Sequence, residues 1–85
     1  MNSKTIYDLL NHHFESILNN NSCEDLDIQS KQYLFLDFNS LKQITDENNN
    51  KLYSLDIKEN DNIIGKFKLK FDYNDTFLDE FFIIF

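Results

Sequence analysis

The chain has no proline, arginine, tryptophan, valine or alanine, and its 85 residues include one glycine and one cysteine. Each shortage excludes something. The lone glycine, Gly65, rules out the multi-glycine loops that cradle phosphates in dinucleotide and P-loop sites. Inside a strand pattern it marks a bulge or a close approach of another backbone. The lone cysteine, Cys23, cannot close an intramolecular disulfide, which points to a reducing, cytoplasmic setting. Flanked by Glu24 and Asp25, with no histidine at a suggestive spacing, it makes a poor nucleophile. The longest apolar run, Phe81 to Phe85, falls far short of the roughly 20 residues that span a bilayer, so no membrane partner is expected. Met1 to Lys4 lead into Asp8 and His12 rather than an apolar stretch, so no signal peptide is expected. Without arginine the chain lacks the side chain that reads phosphates and guanines bidentately.

What is present is acidic and bulky. Fifteen Asp and Glu against eight lysines give a formal charge of −7. Hydrophobic residues make up 41%, which is ordinary for a folded domain, so the acid excess does not signal disorder. Leu, Ile, Phe and Tyr supply nearly all of that fraction, and twelve residues are Asn. Lys, Asn, Ile and Phe share A/T-rich codons, so the bias reflects an A/T-rich genome more than selection on the fold. Nine phenylalanines, each able to bury ~150–250 Å², are enough for an independent core. At this length one domain is expected over 1–85.

Residues 3–20 read as an amphipathic helix. Ile6, Leu9, Leu10, Phe14, Ile17 and Leu18 form one stripe with His13 beside it, opposite Asp8, Asn11, His12, Glu15 and Asn19. Ser3 or Thr5 is expected to cap its start, and Asn19 to Asn21 to end it through a left-handed residue. Residues 21–30 are variable in pattern and fit a loop or short helical turn with Ser22 and Asp25 as a capping pair. From residue 31 the period becomes two. Tyr33 to Phe38 read as a strand apolar on both faces, extended by Leu41 and Ile44 past an irregularity at Asn39–Ser40. Asp46 to Asn50 is a turn cluster. Tyr53, Leu55 and Ile57 alternate with Ser54, Asp56 and Lys58, and Glu59 to Asn62 turn again. Over 63–73, Phe67, Leu69, Phe71 and Tyr73 oppose Lys66, Lys68, Lys70 and Asp72. A hairpin at Asn74–Asp75 leads to a last strand, 77–85. The expected fold is α+β: one N-terminal amphipathic helix packed on an antiparallel meander of about four strands spanning 31–85.

Little here can do chemistry. His12 and His13 are adjacent on one helix, about 100° apart, and His12 with Asp8 and Glu15 reads as a solvated polar face rather than a metal site. Asp46, Asn48 and Asn50 match the first ligands of an EF-hand loop, but Lys51 stands where glycine is needed and Ile57 where the closing Glu belongs. Asp72 and Asn74 fail in the same way, so both stretches read as turn chemistry. No enzyme, cofactor or metal is expected. Lys66, Lys68 and Lys70, about 6.6–6.8 Å apart along one sheet face, suggest a phosphate track, but the charge of −7 and the missing arginine argue against nucleic acid; strand protection is the expected role.

The acids cluster: Glu24, Asp25 and Asp27; Asp46 and Glu47; Glu59 and Asp61; Asp72, Asp75, Asp79 and Glu80. Such patches steer toward a basic surface, and basic surfaces belong mostly to proteins that handle nucleic acid. The leading expectation is a non-enzymatic protein-binding module, concretely a small inhibitor of a nucleic-acid-handling enzyme that sets carboxylates where phosphates sit. Phage anti-defence proteins, including inhibitors of CRISPR effectors, are such a class. The partner-binding set is Asp72, Asp75, Asp79, Glu80, Glu59, Asp61, Glu24 and Asp25, with Tyr53 and Tyr33 as aromatic supports. The alternative is an accessory or immunity-type protein anchored by Tyr7, Tyr33, Tyr53 and Phe85. The final strand, apolar on both sides, is expected in the core under the helix, or, if left exposed, as a dimer seam.

Overall fold

The 3.6-residue spacing of Ile6, Leu10 and Phe14 folds Ser3–Asn20 into one helix, α1. The computed structural model describes residues 1–85 and lays that stripe across a sheet. The helix cap is Asn2 rather than Ser3 or Thr5: Asn2 Oδ1 accepts the Thr5 amide at 2.9 Å. A capping residue must stand just outside the helix in extended backbone. Asn2 does so at φ −82° and ψ 167°, while Ser3 and Thr5 are already inside. The other end also differs from expectation. Asn21 is extended, at φ −133°, and no left-handed asparagine stops the helix. Instead the Lys31 ammonium bonds the carbonyls of Leu18 and Asn21, and Asn21 Nδ2 donates to the Ile17 carbonyl at 2.9 Å. A cation there satisfies orphan carbonyls and complements the helix dipole.

Residues 22–28 form a single helical turn. Ser22 Oγ accepts the Asp25 amide at 3.1 Å, the capping pair read from the sequence. The turn closes with Ile28 N–H on Cys23 O at 3.0 Å, Asp27 N–H on Glu24 O at 3.2 Å and Asp27 left-handed at φ 58°, which is the Schellman pattern.

Four strands follow: β1 (Leu34–Thr45), β2 (Lys51–Glu59), β3 (Asn62–Phe71) and β4 (Phe77–Ile84). They pair antiparallel in the order β1-β2-β3-β4, so the fold is α+β, a helix on an open meander. The expected irregularity in β1 lies between Asp37 and Lys42, where the register with β2 shifts. Ser40 pins it, donating from Oγ to Asp37 O at 2.6 Å while accepting the Asp56 amide at 2.7 Å. Gly65 is required by close approach: a Cβ there would collide with the Ile83 carbonyl oxygen.

The β1–β2 and β3–β4 turns are built alike. Asp46 Oδ1 accepts the amides of Asn48 and Asn50 at 2.8 and 2.9 Å, and Asp72 Oδ1 accepts those of Asn74 and Thr76 at the same distances. Asn49 and Asp75, the fourth residues of the two turns, are both left-handed at φ 64°. The Asp-x-Asn spacing that imitates a calcium loop therefore serves the backbone of a hairpin. Tyr73 falls in the second turn and is exposed rather than on β3, because β3 ends at Phe71.

Ile6, Leu10 and Phe14 pack on Leu36, Tyr53, Leu55, Ile57, Phe67, Leu69 and Phe71. All seven sheet residues belong to the inner face. β4 is not the central strand expected of a segment apolar on both sides. It is an edge strand, covered on its inner side through Phe82 and Ile84 and open on the other. Sequential hairpins put the last strand outermost, and one helix covers one face.

Candidate functional site

The expected acidic residues separate into two groups. Where the β1–β2 and β3–β4 turns meet, the carboxylates are engaged. Asp46 and Asp72 hold their own turns. Asp75 binds Lys51 Nζ at 2.6 Å and the Met1 amine at 3.3 Å. The Lys51 hydrogen bond holds the Asp75 carboxyl below its ordinary range, and Asp75 in turn raises Lys51. The Asn50 amide lowers Asp46 in the same way. On β4, Asp79 accepts the Glu80 amide at 2.8 Å, and Glu80 accepts from His13 Nδ1 at 2.9 Å. A carboxylate only accepts, so His13 carries its proton on Nδ1.

At the opposite end of the sheet Glu24, Asp25, Asp27, Glu59 and Asp61 form no ion pair. Asp27 and Glu59 line one shallow cavity there with Ile28, Ile63, Ile84 and Phe85. Tyr33 is exposed, but Tyr53 is 6% exposed and stands edge-on to Phe71 at 5.8 Å. It is a core residue, too buried to serve as the docking anchor expected of it. Tyr7 packs against Phe38 at 4.8 Å. His12 and Glu15 share an exposed helix surface with Ser16, Asn19 and Asn20, and no three His, Cys, Asp or Glu side chains converge as metal ligands.

The feature missed in the sequence is the outer face of the sheet. The strand registers define its rows. Ile44, Leu52, Lys70 and Asp79 lie side by side across the four strands, then Lys42, Ser54, Lys68 and Phe81, then Asp37, Asp56, Lys66 and Ile83. Phe35, Lys58 and Ile63 form a partial fourth row. No helix covers this face. Ile44 and Leu52 on one side and Phe81 and Ile83 on the other flank a groove of about 250 Å³ floored by Lys68 and Lys70, with Asp46 and Asn50 at its end. Phe81 and Ile83 remain 38% and 40% exposed.

Charge is divided with the faces. The outer face carries five of the eight lysines, Lys42, Lys58, Lys66, Lys68 and Lys70, against three carboxylates, Asp37, Asp56 and Asp79. Lys66 meets Asp56 at 2.5 Å and Lys58 meets Asp37 at 3.1 Å. Asp56, 8% exposed, has its charge balanced by Lys66 and its amide held by Ser40. Lys42, Lys68 and Lys70 form no ion pair. The other twelve carboxylates and three lysines lie elsewhere. An acidic molecule thus presents one basic, apolar face. The period-two pattern showed the lysines, but their apolar neighbours come from three other strands.

No protein-family model, curated protein or solved structure matches the chain. No helix is long and apolar enough to cross a membrane.

Proposed function

We propose that the chain is a non-enzymatic protein-binding module whose docking surface is the outer face of the sheet. The observation that carries this is the uncovered groove between Ile44–Leu52 and Phe81–Ile83, with unpaired Lys68 and Lys70 along its floor. Apolar rows flanking free cations are complementary to one kind of occupant: a protein segment that alternates apolar side chains with carboxylates. Nucleic acid fits less well. Lys58 and Lys66 are already committed to Asp37 and Asp56, no arginine is present, and the exposed apolar rows have no counterpart on a phosphate backbone.

The test is an NMR titration with a synthetic amphipathic peptide of alternating Leu and Glu. Binding that shifts the amides of Leu52, Lys68, Lys70 and Phe81, and that is lost in a Lys68→Glu, Lys70→Glu variant, supports the proposal. Equal binding of a Leu/Lys peptide, or tighter binding of single-stranded DNA, overturns it.

A second reading keeps the acidic decoy of a nucleic-acid-handling protein, of the phage anti-defence kind, and moves it to the other end of the molecule. What favours it is that Glu24, Asp25, Asp27, Glu59 and Asp61 are free of cations, whereas Asp72 and Asp75 are engaged. Its signature is inhibition that falls steeply with salt and disappears on reversing Glu59 and Asp61 to Lys while surviving Lys68→Glu.

A further inference from the structure

We infer that the chain pairs with a second copy of itself along the β4 edge, through Phe81 to Phe85, in an antiparallel seam centred on Ile83. The inference is independent of what occupies the outer face. It starts from which backbone groups of β4 are spent. Phe85 N–H donates to Ile64 O at 2.9 Å, and an antiparallel ladder alternates by two. The amides of Ile83 and Phe81 therefore also face β3, and those of Glu80, Phe82 and Ile84 face the open edge. Of these three, the Glu80 amide is capped by its neighbour Asp79 at 2.8 Å. Phe82 and Ile84 are left, with their carbonyls, as a strand template with no partner.

The two edges of the sheet are treated differently. The β1 edge is broken by the register shift between Asp37 and Lys42, the kind of bulge that discourages strand addition. The stretch of β4 beyond Glu80 has no bulge, charge or proline. Its residues, Phe-Phe-Ile-Ile-Phe, are apolar in either direction, so the reversed copy is as good a partner as the original.

Centring the two-fold on Ile83 sets Phe82 opposite Ile84 of the other copy, which joins all four open amides. Phe81 then faces Phe85 on the outer side, and Ile83 faces its own copy. Asp79 and Glu80 fall outside the seam, so no like charges oppose each other within it. The outer groove continues across the seam, doubling the face that carries Lys68 and Lys70.

The test uses the full chain in sedimentation velocity across a concentration series at low and high salt, with amide hydrogen exchange read by NMR. Two bodies of −7 repel, and salt screens that repulsion, so the dimer is expected to tighten as salt rises. The Phe82 and Ile84 amides should be protected as dimer forms. Ile83→Lys puts two lysines against each other on the two-fold and should weaken the dimer by about tenfold or more. Ile83 is 40% exposed and outside the core, so unchanged circular dichroism, and a thermal midpoint equal to that of the wild type at dilutions where both are monomeric, will show that the fold is intact. A chain that stays monomeric at every concentration and salt, with fast exchange at Phe82 and Ile84, overturns the inference. So does a dimer indifferent to Ile83→Lys or one that loosens with salt.

Discussion

The two faces of the sheet share strands, turns and registers, yet they are built for different ends. The inner face reads Leu55, Ile57, Phe67 and Leu69, each with essentially no exposed surface, under a single helix. The outer face alternates with it residue by residue and carries Leu52, Ser54, Asp56, Lys66, Lys68 and Lys70 in the same central strands. Stability is concentrated on the first. The second has apolar groups that remain in water and cations that remain unpaired, features that cost little in folding and are available for recognition.

Truncation separates the faces most sharply. Phe67→Ala on the inner face should lose about 3–5 kcal/mol in urea unfolding, whereas Phe81→Ala on the outer face should lose only about 1–2 kcal/mol, because its ring is already in part solvated. Similar losses would mean that the outer face is covered in solution. Next comes Gly65→Ala. Its new methyl group meets the backbone oxygen of Ile83 rather than a movable side chain, so a loss of about 1–3 kcal/mol is expected, with faster exchange at amides along the β3–β4 ladder.

Ser40→Ala removes both hydrogen bonds that pin the β1 irregularity and leaves the Asp56 amide, in a buried residue, without its acceptor. A loss of about 1–2 kcal/mol follows, read as a lower urea midpoint. The smallest effect belongs to the engaged carboxylates. Asp75 is lowered in the folded state, so its contribution is present above the unfolded carboxylate value of about 3.9 and is lost as pH falls through the lowered folded value. Lys51, raised by the same pair, contributes below its unfolded value and loses that contribution as pH rises through the raised folded one. Asp75→Asn should therefore flatten the pH dependence of the urea midpoint at both the acidic and the alkaline extremes, and leave the mid-pH range parallel to wild type.

Much of this was legible along the chain. The stripe of Ile6, Leu10 and Phe14, the alternation around Phe67 and Leu69, and the Asp-x-Asn turns are local patterns. A helix or hairpin is decided by residues three to five apart, and the stretches read alike before and after folding. Helix capping was less so. Asn2 and Lys31 take those roles through where the chain happens to pass, and Lys31 reaches the carbonyl of Leu18 from thirteen residues away. Tyr53 illustrates the same difficulty for the site. An aromatic on an alternating strand looks the same whether its face is inward or outward, and the face is set by the helix.

By itself, then, the sequence determined the element types, the meander and the acidity, because these follow from spacing and composition. The tertiary structure alone decided that β4 is an edge, that Asp75 is spent on Lys51 and the Met1 amine, and that five lysines share a face with Ile44, Leu52, Phe81 and Ile83. Those facts depend on strand order and cross-strand register, which bring together residues far apart in the chain, as with Ile44 and Ile83, 39 positions apart across one groove. No local pattern encodes such a distance; only the closing of the hydrophobic core under α1 selects it.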